Sequence, residues 1–105
     1  MAWITLAIAG LFEVLWAFAM KKSEGFTLLL PSSITVLGAV ASMVLLGLAM
    51  KTLPLGTAYT VWTGIGAVGS FVLGITLLGE PVTPMRLTAA VLIVAGLVLM
   101  KLSSP

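Results

Sequence analysis

An all-α membrane protein of four transmembrane helices is the fold this sequence predicts, and three observations predict it. The chain is 61% hydrophobic and only 8% charged, with a mean hydropathy of +1.29. Soluble domains carry about 25% charged residues to make a polar surface, so this composition belongs to a lipid-embedded chain. Apart from Glu13, the charges fall between or at the ends of apolar stretches: Lys21, Lys22, Glu24, Lys51, Glu80, Arg86 and Lys101. The connections between those stretches are short and rich in turn formers. Residues 1–105 therefore read as one four-helix transmembrane domain.

The first span, about residues 2–20, is apolar except for Glu13, Trp3 and small polar groups. It reads as a retained helix and not as a cleavable signal peptide. Met1–Ala2–Trp3 lacks a positively charged side chain, and the run ends at Lys21–Lys22 without a small-residue cleavage site. Lys22–Ser23–Glu24–Gly25 makes the first turn. The second span is placed at about residues 30–50 within the charge-free stretch Phe26–Met50. Thr52–Leu53–Pro54–Leu55–Gly56 breaks it from the third span, about residues 55–79. Pro81 and Pro84 then stop one helix and launch the next. The fourth span, about residues 86–102, has only Leu87–Met100 between Arg86 and Lys101. It reaches across the hydrocarbon because long basic side chains snorkel outward from its ends.

Several functions are excluded by what is missing. With no Cys and no His, disulfides, thiol catalysis, thiolate metal sites and the usual general base are absent. A net charge of +2, scattered along the chain, offers no nucleic-acid surface. Nothing in the sequence calls for a metal, a cofactor or an enzymatic reaction.

Four spans put both termini on one side of the membrane. That side carries Lys51 and Lys101, and the other carries Lys21, Lys22 and Arg86. Orientation follows the Lys/Arg imbalance, and a difference of one residue is a weak instruction. Two readings stay open: a single topology with the first and third loops in the cytoplasm, or insertion both ways to give an antiparallel homodimer, a two-chain version of an inverted repeat.

Glu13 carries the functional reading. A carboxylate inside a membrane span is costly and marks a site by default, and the chain offers it no buried basic partner. Helical spacing sets Gly10, Glu13, Trp16, Ala17 and Met20 on one face of the first span, with Gly10 leaving room beside the carboxylate. Thr35, Ala39 and Ser42 form a small, hydroxyl-bearing stripe on the second. Tyr59, Trp62, Thr63 and Gly66 recur at helical spacing on the third. A carboxylate, a serine, a phenol and two indoles suit a small organic cation. Plainer roles exist for most of these groups. A transmembrane serine is more often a packing contact, and Trp and Tyr often belong to interfacial belts, which suits Trp3. Gly64–Ile65–Gly66 reads either as a hinge or as close packing, and Gly66–Ser70–Gly74 as a small-residue packing ridge. The fourth span, with Ala89, Ala90 and Gly96, reads as an association surface.

The same residues carry a family resemblance. Glu13–Val14–Leu15–Trp16–Ala17, Met20–Lys21, Ser23–Glu24–Gly25–Phe26–Thr27 and Pro31–Ser32 resemble the small multidrug resistance transporters. So do Pro54–Leu55–Gly56–Thr57–Ala58–Tyr59, Val61–Trp62–Thr63–Gly64–Ile65–Gly66–Ala67, Gly79–Glu80–Pro81 and Lys101. Within that family the chain looks like the guanidinium-exporter branch. The resemblance implies an antiparallel homodimer in the bacterial inner membrane, with Glu13 of both subunits sharing one site contacted by Trp16, Ser42, Tyr59 and Trp62. Gly10, Ala39, Thr60 and Thr63 line or surround it. The expected activity is export of guanidinium-type cations against protons, which compete for the same oxygens. A broader exporter of quaternary ammonium ions is the nearest alternative, and a non-transporting membrane subunit is a further one. Thr60 departs from the alanine common in this branch and adds a hydroxyl beside the aromatic wall, so the substrate range stays open.

Overall fold

A computed structural model describes residues 1–103 and contains four α-helices: α1 (Ala2–Lys22), α2 (Leu29–Ala49), α3 (Leu55–Leu77) and α4 (Pro84–Ser103). Each is long and apolar enough to cross a bilayer. The chain is thus a multi-pass, all-helical membrane protein. α1 packs along most of its length on α2 and also on α3, while α4 packs chiefly on α3 and meets α1 where Lys101 Nζ lies 5.2 Å from the Trp3 ring centroid. The assembly is a slab of 43 × 35 × 17 Å. Its thinnest dimension is less than two helix diameters, each about 10–12 Å with side chains.

Local chemistry sets each helix end. Ser23 is fully buried: its hydroxyl donates to the Met20 carbonyl (2.6 Å) and accepts the Phe26 N–H (3.0 Å). This knot winds Glu24, Gly25 and Phe26 through the left-handed region, at φ 51°, 72° and 67°. Left-handed backbone is unfavourable for Glu24 and Phe26, so the Ser23 bonds offset a real strain. Phe26, Thr27 and Leu28 are therefore turn, and α2 starts at Leu29. Pro31 fits in the first turn of α2, where its missing N–H needs no intrahelical partner. Pro54 is the N-cap of α3, with extended backbone. The Thr83 hydroxyl caps α4 by accepting the Arg86 N–H at 3.1 Å, and Pro84 opens the helix.

The apolar core lies at one end of the slab. Leu6 and Ala9 of α1, Leu46 and Ala49 of α2, and Ala58, Val61 and Trp62 of α3 are buried there, with Trp3 and Leu53 packed against them. In lipid, apolar side chains gain little by hiding from one another, so helix approach depends on fit and on small residues. The glycines show this. Gly38 of α2 seats Trp16 of α1: a Cβ there would lie 2.9 Å from the Trp16 Cβ. Gly69 of α3 lies directly against Val14, and Gly64 against Leu97 of α4. α3 runs unbroken through Gly64–Ile65–Gly66, so both glycines act there as packing surfaces. In contrast, no residue of α4 is buried, although the helix is fully described.

These contacts distinguish two glycine substitutions. Gly69→Ala drives a methyl into the stiff β-branched Val14 and should cost about 1–3 kcal/mol. Gly47 meets nothing within 4 Å. Gly47→Ala should therefore be neutral or stabilising by up to about 1 kcal/mol through helix propensity. Reversible unfolding in bicelles measures both.

Candidate functional site

Three helices are tied together one turn from Glu13. Trp62 of α3 donates its indole N–H to the Ser42 hydroxyl of α2 at 2.8 Å. Ser42 in turn donates to the backbone carbonyl of Ala9 in α1 at 2.6 Å. By helical spacing, that carbonyl is also the acceptor for the Glu13 N–H. Ser42 is completely buried and Trp62 nearly so, at 0% and 7% exposure. The Tyr59 ring leans on Trp62 with 5.4 Å between centroids and a 57° tilt, while half of Tyr59 faces outward. Such an offset pair both packs and presents an electron-rich face.

Glu13 lies on the α1–α3 seam. A Cβ on Gly66 would sit 2.6 Å from its Oε2, so only glycine leaves space for the carboxylate there. Oε2 is shielded from solvent and has no hydrogen-bond partner among the described residues. The Trp16 Nε1–H is in the same condition. A buried acceptor and a buried donor without partners are unusual in a folded protein, and each keeps hydrogen-bonding capacity that a bound group could use. A donor-rich cation would satisfy the acceptor.

The sequence-predicted residues separate into groups. Ser42, Trp62 and Tyr59 form one connected set. Glu13 and Gly66 are in contact, and Trp16 is fixed against Gly38. The space at Gly10 is filled by Ile65, whose Cγ2 would lie 2.5 Å from a Cβ at that position, so Gly10 serves the α1–α3 contact. On α2 the buried stripe is Thr35, Gly38, Ser42, with Ala39 only half-buried beside it. Thr60 and Thr63 are exposed and line, with Tyr59 and Gly64, a groove of about 830 Å³ between α3 and α4. Glu13 does not line that groove. Gly38 and Ile65 are the residues that sequence reasoning missed. Gly38 lies one turn before Ser42, a signal that the hydroxyl stripe contained but did not draw attention to.

Membrane helices of this number, enclosing one acid among small residues, define a class, and the match is explicit. The chain belongs to the Small Multidrug Resistance protein family, which it matches over residues 1–94. Among curated proteins, it is 58% identical over 104 residues to the "Guanidinium exporter" of Escherichia coli K12, covering 99% of each chain. The proteins of the same name from Salmonella typhimurium and Citrobacter freundii are 58% and 56% identical over the same length and coverage.

A double-mutant cycle tests the junction. Ser42→Ala strands the buried Trp62 N–H and should cost about 1–3 kcal/mol of stability. In a Trp62→Phe background the same change strands nothing. The two effects should therefore be non-additive, with a coupling of about 0.5–3 kcal/mol in unfolding measurements.

Proposed function

We propose that this protein is a proton-coupled antiporter that exports guanidinium and small substituted guanidinium ions across the bacterial inner membrane, with Glu13 as the site shared by cation and proton. The observation that carries the reading is the full-length likeness to proteins named as guanidinium exporters. The unpartnered Oε2 of Glu13 supports it. Guanidinium is planar, permanently charged at neutral pH and rich in N–H donors, and it pairs with a carboxylate through charge-assisted hydrogen bonds. Trp16, Tyr59 and Trp62 add π faces and Ser42 orients Trp62. Protons and cation contend for the same oxygens. If the site changes sides only when occupied, inward proton movement drives outward cation movement with no covalent step and no nucleotide.

The reading includes an antiparallel homodimer. α4 has no buried residue, the slab is 17 Å thick, and the Lys/Arg balance barely favours either orientation. A second copy would cover α4 and bring a second Glu13 to the site, so that the two carboxylates titrate as a pair. A broader quaternary ammonium exporter remains the second reading. It is favoured by Thr60, whose hydroxyl opens onto the wide α3–α4 groove.

Glu13→Gln should lower proton-driven guanidinium uptake into proteoliposomes roughly tenfold or more, the scale of a lost charge-assisted pair. Full uptake by the variant sinks the proposal, and stronger competition by bulky ammonium ions than by guanidinium favours the second reading. Topology has its own test. The native chain has no Cys. A Ser103→Cys variant in intact cells should expose about half of its thiols to an impermeant maleimide if insertion is dual. Labelling of all or none would mean one orientation.

A further inference from the structure

The far end of α3 already holds a guanidinium group. Gly79, at φ +70°, turns the chain so that the Glu80 N–H bonds back to the Gly74 carbonyl at 2.9 Å. The Glu80 carboxylate then rests against Gly74, where a Cβ would lie 2.6 Å from Oε1. Arg86 donates from Nη2 to that same Oε1 at 3.2 Å, and its guanidinium carbon lies 5.3 Å from the centroid of the Phe71 ring. A carboxylate on one side and a ring on the other thus make the recognition set for a planar, donor-rich cation, with a tethered one in place.

On the α1 side of Glu80 is a cavity of about 160 Å³, lined on α1 by Ala17, Phe18 and Lys21 and on α3 by Ser70 and Gly74, while Phe71 and Arg86 line a separate cavity of about 240 Å³ toward α4. Drug-sized sites run to about 300–1,000 Å³, so the smaller space suits an ion of a few heavy atoms. It lies on the seam that holds Glu13. Glu13, Ala17 and Lys21 follow one another at i, i+4 and i+8, and face Gly66, Ser70 and Gly74 at the same spacing. From Gly66, against Glu13, to Gly74, against Glu80, is about 12 Å along the helix.

We propose that Glu80 and the α1–α3 cavity it borders form a second guanidinium-binding site, in which a free guanidinium ion takes the Glu80 carboxylate from Arg86 and then stands at the loop end of the Glu13 seam. The relay role rests on the reading of Glu13 as the central site; binding at Glu80 does not. Displacement is feasible because the exchange swaps one guanidinium for another. Both partners are about 40% exposed, so the pair is a weak one. Lys21 lines the same cavity, and its charge opposes a cation there.

Arg86 is the chain's single arginine, so labelling with 15N-arginine gives one side-chain Nε resonance. In bicelles, that resonance should shift saturably with guanidinium chloride and not with sodium chloride at matched ionic strength. It should do so in the wild type and equally in Glu13→Gln. Glu80→Gln should abolish the saturable shift. Lys21→Gln should lower the half-saturating concentration by about threefold, the worth of one like charge near the surface. An Arg86 resonance that stays fixed in Glu13→Gln overturns the second site, even where Trp fluorescence still reports binding in the wild type. So does a weaker site in Lys21→Gln. A titrating Arg86 alongside undiminished export by Glu13→Gln would instead remove Glu13 as the central site and leave Glu80 standing.

Discussion

The bond that the rest of the arrangement depends on is the relay from the Trp62 N–H through the Ser42 hydroxyl to the Ala9 carbonyl. It connects α3, α2 and α1 in one line, and its last acceptor belongs to the turn that carries Glu13. In lipid no water competes for these groups, and each of them would be costly if left alone. The relay fixes the rotation of α1 about its axis. That rotation points Glu13 at α3 and not at the hydrocarbon. Because α2 and α3 otherwise touch little, this serine adds a hydrogen bond to the apolar contact of Leu46 and Ala49 with the α3 end of the core.

Shape does the remaining work. Five close approaches between helices pair a glycine with a specific bulky group: Gly38 with Trp16, Gly10 with Ile65, Gly66 with Glu13, Gly69 with Val14, Gly64 with Leu97. Helix association in membranes draws on such van der Waals fit. The glycines of α3 therefore lower its intrinsic helix propensity and raise its ability to hold neighbours. The second effect prevails, since α3 is continuous from Leu55 to Leu77.

Much of this was legible beforehand, and the gaps have physical causes. Helix number followed from composition and charge placement, because the bilayer imposes both. Glu13 was conspicuous because an acid in an apolar span has no bland explanation. Its partners were harder to see. Gly38 and Ile65 carry no chemistry of their own, and only the contact between helices gives them a role. Thr63 shares a helical face with Tyr59 in projection, and both line, with Thr60, the α3–α4 groove, which Glu13 does not reach. The left-handed turn ahead of α2 was hidden because Phe26 depends on the Ser23 knot, which no hydrophobic pattern announces.

That knot has a consequence for biogenesis. Ser23 closes the turn between α1 and α2 using only neighbours in sequence, and the Ser42–Ala9 bond lies wholly within the same pair of helices. The hydrogen bonds of the first two helices thus need nothing from α3, so this hairpin is able to close before α3 is made. In that order Trp62 would meet a hydroxyl whose own proton is committed to Ala9 and whose lone pairs are free to accept. The order of synthesis and the direction of the hydrogen bonds agree, so the finished arrangement requires no stage in which Ser42 changes partners.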